Sequence, residues 1–169
     1  GVVWAALRAG YTDTGGPQAG NGEPGTEWLI KQQQANGYPG GKATYYDWLY
    51  CDAIATFALA EAYGMQSDPT AHPKLREAVR GGVHLIVAMQ NDDGGWAAFD
   101  KTTHREWMEH VPFADHNAMQ DPSCAEITGR TIESLCPCGM YARHPAILPS
   151  VRYIHAKQEP EGCWWGRWR

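Results

Sequence analysis

The chain has 169 residues, enough for one domain, and its 43% hydrophobic and 20% charged content excludes disorder throughout. A formal net charge of -5 provides no basic stripe to displace counterions from phosphates, which argues against nucleic acid as a partner. The five cysteines, an odd number, read as reduced intracellular thiols, and no apolar run reaches the ~20 residues that span a bilayer, which leaves attachment to one leaflet open.

Taken in chain order, the elements are helical. Short helices are expected at Val2–Ala9 and Trp28–Gln34, with a Gly-, Pro- and polar-rich loop over Thr12–Gly25 between them. From Asp52 to Tyr63, Ile54, Phe57, Ala58 and Glu61 follow helical spacing, and Gly64 stands where a helix would end. Pro73, acceptable in a first turn, opens the next helix, whose face carries Leu75, Val79, Val83, Ile86 and Met89. That helix ends in the turn cluster Asn91–Gly95. Ser123 and Glu126 have capping-box spacing and predict a helix that closes near Cys136-Pro137. A last helix is expected from Pro145 to Gln158, with Ile147, Val151 and Ile154 on one face.

A repeat is visible within the chain. His72-Pro73 opens a helix that leads to Gln90, three residues, Gly94, any residue, Trp96; His144-Pro145 opens another that leads to Gln158, three residues, Gly162, any residue, Trp164. An earlier, degraded copy runs Gln33–Tyr38, with Tyr where Trp would stand. Repeats of this length predict stacked helical hairpins, each unable to bury its apolar face alone. The chain opens at Gly1 and stops at Trp168-Arg169 inside a patterned segment, and it is expected to be a piece of a longer polypeptide.

The two Gln…Gly-x-Trp copies resemble the QW motifs of triterpene cyclases of the squalene–hopene type. The resemblance is strongest from Lys74 to Arg169, where QNDDGGWAAFD (90–100), PFADH (112–116), Asp121-Pro122 and QEPEGCWWGRW (158–168) follow the family order. The N-terminal half, with WLIKQQ (28–33) and DAIATFALAEAYGM (52–65), looks closer to bacterial prenyltransferase and squalene-oxidase repeat proteins. The resemblance implies an all-α fold, part of an (α/α)6 toroid. On that reading residues 1–169 form a single partial toroid domain: a weakly matched repeat in 1–48, a hairpin ending in the first QW motif in 49–100, and a second in 101–169. It also implies that Gln90, Trp96, Gln158 and Trp164 stabilise the fold and do not catalyse.

The implied activity is an intramolecular isomerisation, the proton-initiated cyclisation of squalene or a related polyprene in hopanoid biosynthesis. An ordinary carboxylic acid with a pKa of about 4 protonates an unactivated alkene only if its conjugate base is strongly stabilised. The carbocations that follow need shelter from water and from the faces of aromatic rings, each contact contributing roughly 0.5–2 kcal/mol. In such cyclases the acid lies in an Asp-x-Asp-Asp-Thr-Ala motif. The segment in its place is LYCDAI (49–54), in which Asp52 survives and Cys51 takes the position of the proton-donating Asp, an impaired acid motif. In the family's Asp-Pro-x-x-x-Asp-x-x-x-His element, Asp121 matches the first Asp, Glu126 the second, and Arg130 replaces the His. Glu126 and Arg130, four apart, also fit an exposed ion pair of a few tenths of a kcal/mol. Trp168 matches the cavity-lining Trp of a Gly-Arg-Trp-Gly sequence.

The candidate site is therefore Asp52, Asp121 and Glu126 as catalytic residues and Trp168 against substrate, with no cofactor and no metal. Zinc is a weak alternative: Cys51-Asp52, Cys136-Pro137-Cys138, His110 and His116 lack the spacing of a zinc module. The implied partners are a polyprene lipid, a peripheral contact with the cytoplasmic face of a membrane, and the missing toroid half or a second copy. The competing reading is a non-catalytic repeat protein that binds or scaffolds, favoured by the altered acid motif and the character of the N-terminal half.

Overall fold

The computed structural model describes residues 22–39, 48–99, 101, 105, 107–108, 111 and 120–166. Among them the chain forms five α-helices and no strand: α1 (Gly22–Gln32), α2 (Trp48–Gly64), α3 (Pro73–Ala88), α4 (Ala125–Leu135) and α5 (Ile147–Ala156). The chain divides into two compact units, Gly1–Ile86 and Val87–Arg169. The helix expected at Val2–Ala9 lies outside the described residues. Of the loop expected at Thr12–Gly25, residues 22–25 belong to α1 instead. Pro24 is tolerated there because the first-turn N–H groups of a helix have no intrahelical acceptor.

In the first unit, Leu59 and Ala62 of α2 meet Leu75 and Ala78 of α3, and Leu29 and Ile30 of α1 pack against them with Tyr63 and Val79. Each large side chain fully buried in this way contributes about 1.5–3 kcal/mol. The inward face of α2 is Ala55, Ala58, Leu59 and Ala62, one position round from the face expected, so that Ile54 is exposed. Thr56 of α2 seats on Gly82, and the turn after α1 seats on Gly81, both inside α3. A Cβ on Gly82 would lie 2.0 Å from Thr56 Oγ1, and a Cβ on Gly37 would lie 2.2 Å from the Gly81 carbonyl oxygen. Glycine inside a helix costs roughly 0.5–1 kcal/mol relative to alanine. Here it is what lets α2 and the turn after α1 both seat on α3.

In the second unit α4 packs on α5. The cap of α4 differs from the expected capping box. Cys124 is the N-cap and makes no side-chain cap bond. Ser123 instead donates to Asp93 Oδ1 (2.8 Å) and accepts from Asn91 Nδ2 (2.8 Å), tying the start of α4 to the preceding turn. The helix does close at Leu135, before a 3-10 turn over Cys136–Cys138. The last helix starts at Ile147 rather than Pro145: Leu148 N–H makes a helical bond to His144 O (3.1 Å), but Pro149 has no N–H to continue the ladder to Pro145 O. Its buried face is Ile147, Ser150 and Tyr153, so a small polar residue and a phenol occupy the positions at which Val151 and Ile154 were expected.

One joint recurs. Gln33 Nε2 donates to Gly37 O and to Ala78 O, both at 2.8 Å. Gln90 Nε2 donates to Gly94 O (2.9 Å), Ala146 O (2.8 Å) and Ser150 Oγ (2.9 Å). In both cases the amide closes its own turn and grips the helix that leads into the next turn. The backbone repeats as well: Gln34 N to Tyr38 O, Asn91 N to Gly95 O and Glu159 N to Cys163 O are each 2.9 Å. Gly37, Gly94 and Gly162 have φ of 97°, 87° and 83°, where an L side chain is strained. These pairings align Tyr38 with Gly95 and Cys163, so Pro39, not Tyr38, occupies the tryptophan position of the first copy. Trp96 is held between its N–H on Thr128 Oγ1 (3.0 Å) and its carbonyl under Cys124 N (3.1 Å).

Gln90→Ala removes two N–H donors shared among three acceptors and leaves part-buried carbonyls short, so it should destabilise the chain by about 2–3 kcal/mol. Gln158→Ala, on an exposed side chain whose bond is local, should change stability by no more than about 0.5 kcal/mol. Urea denaturation of the two variants measures the difference.

Candidate functional site

The residue with the most distinctive surroundings is Asp52, in the second turn of α2. It is 0% exposed, an unusual place for a carboxyl. Its Oδ1 accepts from Thr56 Oγ1 at 3.3 Å, one helical turn on, and Oδ2 has no hydrogen-bond partner among the described residues. No lysine, arginine or histidine among the described residues forms an ion pair with it. Loss of water therefore dominates, and it pushes the carboxyl pKa up to about 7 against the smaller, opposing effect of the Thr56 hydroxyl.

Tyr38, on the turn after α1, is buried in the same unit. Its phenol is held above the ordinary range by burial first and then by the negative charge available to Cys51 and Asp52. Cys51, Asp52 and Tyr38 thus share one electrostatic neighbourhood without a compensating cation among the described residues. The arrangement follows from the Gly81-Gly82 seat. Gly82 receives Thr56, the partner of Asp52, and Gly81 receives Gly37, the neighbour of Tyr38. Neither Thr56 nor Tyr38 stood out as a site residue in the sequence. The available signal was the Asp52–Thr56 spacing of four together with two adjacent glycines in a helix.

The remaining predicted residues belong to the second unit or lie outside the described residues. Asp121 and Glu126 belong to the second unit. Asp121 lies in the segment leading to α4, where its Oδ2 accepts the Phe99 N–H at 2.5 Å. Beside it, Gln120 pairs with the Arg105 backbone in both directions, at 2.6 and 2.7 Å. Glu126, in the first turn of α4, is exposed, and its Oε2 lies 3.1 Å from where a Cβ on Gly166 would stand. Glu126 and Arg130 form no ion pair with each other among the described residues. Trp168 lies outside the described residues, as do His110, Phe113 and His116. Among the described residues no three His, Cys, Asp or Glu side chains gather as metal ligands.

Chemically, Asp52 is a carboxyl shielded from water that is largely protonated at weakly acidic pH. It can hold a proton beside an apolar group, and it is poorly equipped to carry a negative charge.

Comparison with known proteins places this geometry in context. The family model described as squalene-hopene cyclase C-terminal domain matches residues 22–169, well beyond the C-terminal half in which the motifs are clearest. The chain is similar to a squalene-hopene cyclase of Schizosaccharomyces japonicus, 33% identical over 142 residues that cover 84% of this chain and 21% of the relative. Similarity to a squalene–hopene cyclase of Bradyrhizobium diazoefficiens is 32% over 144 residues, 84% of this chain and 22% of the relative. A dammaradiene synthase of Dryopteris crassirhizoma is 38% identical over 92 residues, 49% of this chain and 13% of the relative. The chain thus spans about one fifth of the length of the first two of these relatives.

The raised pKa of Asp52 fixes a pH dependence. A carboxyl that titrates at about 7 when folded and near 4 when unfolded makes the folded state the one that binds more protons between those values. Stability should therefore fall as pH rises from 4 to 7, by at most about 1.4 kcal/mol per unit from this group, and level off above. Asp52→Asn should flatten that slope and raise the melting temperature at pH 8, which thermal denaturation across pH 4–8 measures.

Proposed function

The chain belongs to the squalene–hopene cyclase family, whose C-terminal domain is an α/α toroid, and on that premise we propose that it is part of a triterpene cyclase-like protein. The proposed reaction is proton-initiated cyclisation of squalene or a related polyprene. Asp52 is the acid, Asp121 and Glu126 are supporting carboxylates, and Trp168 is an aromatic wall for the cationic intermediates.

What supports this reading is the family match over residues 22–169, together with a carboxyl at Asp52 that is 0% exposed and so held out of water. Alkene protonation requires a proton held out of water, since water would both level the acid and quench the cation. In the cyclisation the proton passes from the carboxyl to a terminal alkene carbon, ring closures transfer the positive charge along the chain, and loss of a proton or capture of water ends the sequence. No electron is gained or lost, and the chemistry requires neither metal nor organic cofactor.

One observation favours the rival reading. A donor able to protonate an isolated alkene needs its conjugate base stabilised, and among the described residues only Thr56 donates to Asp52. With Cys51 in the central position of the acid motif, a carboxyl raised toward 7 keeps its proton and yields it reluctantly. A toroid repeat protein that binds a polyprene lipid without cyclising it fits that chemistry. Both readings bring the chain to an apolar substrate, and we place it in peripheral contact with a membrane surface. Among the described residues no helix is long and apolar enough to cross a bilayer.

The test is incubation of the detergent-dispersed protein, and of its longest parent polypeptide, with squalene, read by gas chromatography and mass spectrometry. The cyclase reading expects polycyclic isomers of squalene, reduced about 10²-fold or more by Asp52→Asn, the usual scale for losing a general acid. Squalene that is bound but recovered unchanged from a folded parent selects the binding reading.

A further inference from the structure

Three side-chain hydroxyls inside the helices of the second unit follow one habit, and Thr56 departs from it. Thr131 Oγ1 donates to Ile127 O (2.9 Å), Ser134 Oγ to Thr131 O (2.9 Å) and Ser150 Oγ to Ala146 O (2.6 Å), each a backbone carbonyl three or four residues back. That is the ordinary bond for a buried helical hydroxyl. Thr56 has the Asp52 carbonyl at the same spacing, yet its hydroxyl donates to the carboxyl oxygen Asp52 Oδ1 at 3.3 Å. Thr56 is buried, so water does not compete for that proton.

The side chain is packed against the open side of Gly82. A Cβ there would meet the hydroxyl itself, with the Thr56 methyl at 2.8 Å and its Cβ at 2.9 Å, so a larger residue on α3 would push Thr56 aside. The titratable groups around the carboxyl are Cys51 on its own helix and Tyr38 on the turn after α1, and ionisation of either adds negative charge. From α3 the neighbours are the two glycines, and no lysine, arginine or histidine among the described residues forms an ion pair with Asp52. Among the described residues Thr56 is therefore the one donor that decides how the carboxyl is held.

A neutral carboxyl has one carbonyl oxygen, which accepts, and one hydroxyl oxygen, which donates. The single proton of Thr56 is on Oδ1, which makes Oδ1 the carbonyl oxygen. The acid proton then belongs to Oδ2, buried and without a hydrogen-bond partner among the described residues. We propose that Thr56 is a positioning residue for Asp52: by donating to Oδ1 it fixes the carboxyl and leaves the transferable proton on Oδ2. The catalytic use of that proton rests on the cyclase reading above, whereas its location does not. In the opposite arrangement Asp52 would donate to the Thr56 oxygen, and that bond would have to break before any transfer.

Infrared difference spectra of the full chain, each variant taken against the same variant carrying Asp52→Asn, isolate the Asp52 carbonyl stretch and its titration. Thr56→Val keeps the shape and removes the hydroxyl. Because the Thr56 bond favours the ionised form, its loss should raise the titration midpoint by about 0.5–1 unit and move the stretch to higher frequency. Thr56→Ser, which keeps the hydroxyl, should restore both. A midpoint that falls in Thr56→Val would overturn the proposal, because Asp52 would then be the donor. So would a midpoint and band that stay in place, or a Thr56→Ser that behaves as Thr56→Val does. Squalene turnover by the parent separates the two readings. Product from a parent whose midpoint ignores Thr56 leaves the cyclase reading standing and removes this proposal, and a shifted midpoint without product does the reverse.

Discussion

A primary amide has two N–H donors diverging from one nitrogen, and this fold uses both. One proton of Gln33 or Gln90 closes the turn that follows its helix, and the other reaches across to the carbonyl of a helix 45 or 56 residues further along the chain. Neither a hydroxyl with its single proton nor an acceptor-only carboxylate could make that link. Because each link is part-buried, losing it would leave carbonyls short of donors, and the joint is worth more than its bond count in water suggests. In the first two turns the left-handed glycine, Gly37 or Gly94, follows from the same requirement: the chain must reverse within four residues and press against backbone, and no Cβ fits there.

The setting of Asp52 is downstream of that joint. Gln33 fixes the turn after α1 against α3, Gly81 accepts the turn and Gly82 accepts Thr56, and between these supports the carboxyl of Asp52 loses its water. Nothing charged compensates it among the described residues, so the protein resolves the cost by keeping the proton. The same feature is a stability liability at high pH. Real proteins break local rules of this kind at functional sites and offset the cost elsewhere. Here the offset is the helix packing around Leu59, Ala62, Leu75 and Ala78.

Much of this was legible in the sequence because the joint is written in local residues. The Gln…Gly-x-Trp spacing marked two of the three turns, and Gly64, Pro73 and the Asn91–Gly95 cluster marked where helices stop and start. The misreadings share a cause, which is that tertiary partners outbid local signals. Ser123 and Glu126 carry capping-box spacing, but the Ser123 hydroxyl is committed to Asp93 and Asn91. Pro145 looks like a first-turn residue, but Pro149 has no N–H for its carbonyl, and the regular helix begins at Ile147. Tyr38 is aromatic at nearly the right distance, and only the backbone pairing reveals that it sits one place early. At the site, Asp52 was found through its family motif, whereas its burial, its bond to Thr56 and the nearness of Tyr38 depend on contacts between segments that no local pattern encodes.

The account stands on Asp52 being a neutral, buried acid, and infrared spectroscopy addresses that state directly. A protonated carboxyl has a carbonyl stretch that an ionised one lacks. Such a band is expected at pH 6, absent from Asp52→Asn and lost in the parent as pH rises through about 7. A parent whose Asp52-dependent band is already gone at pH 6, with its titration near 4, would contradict it and return Asp52 to the ordinary carboxylates.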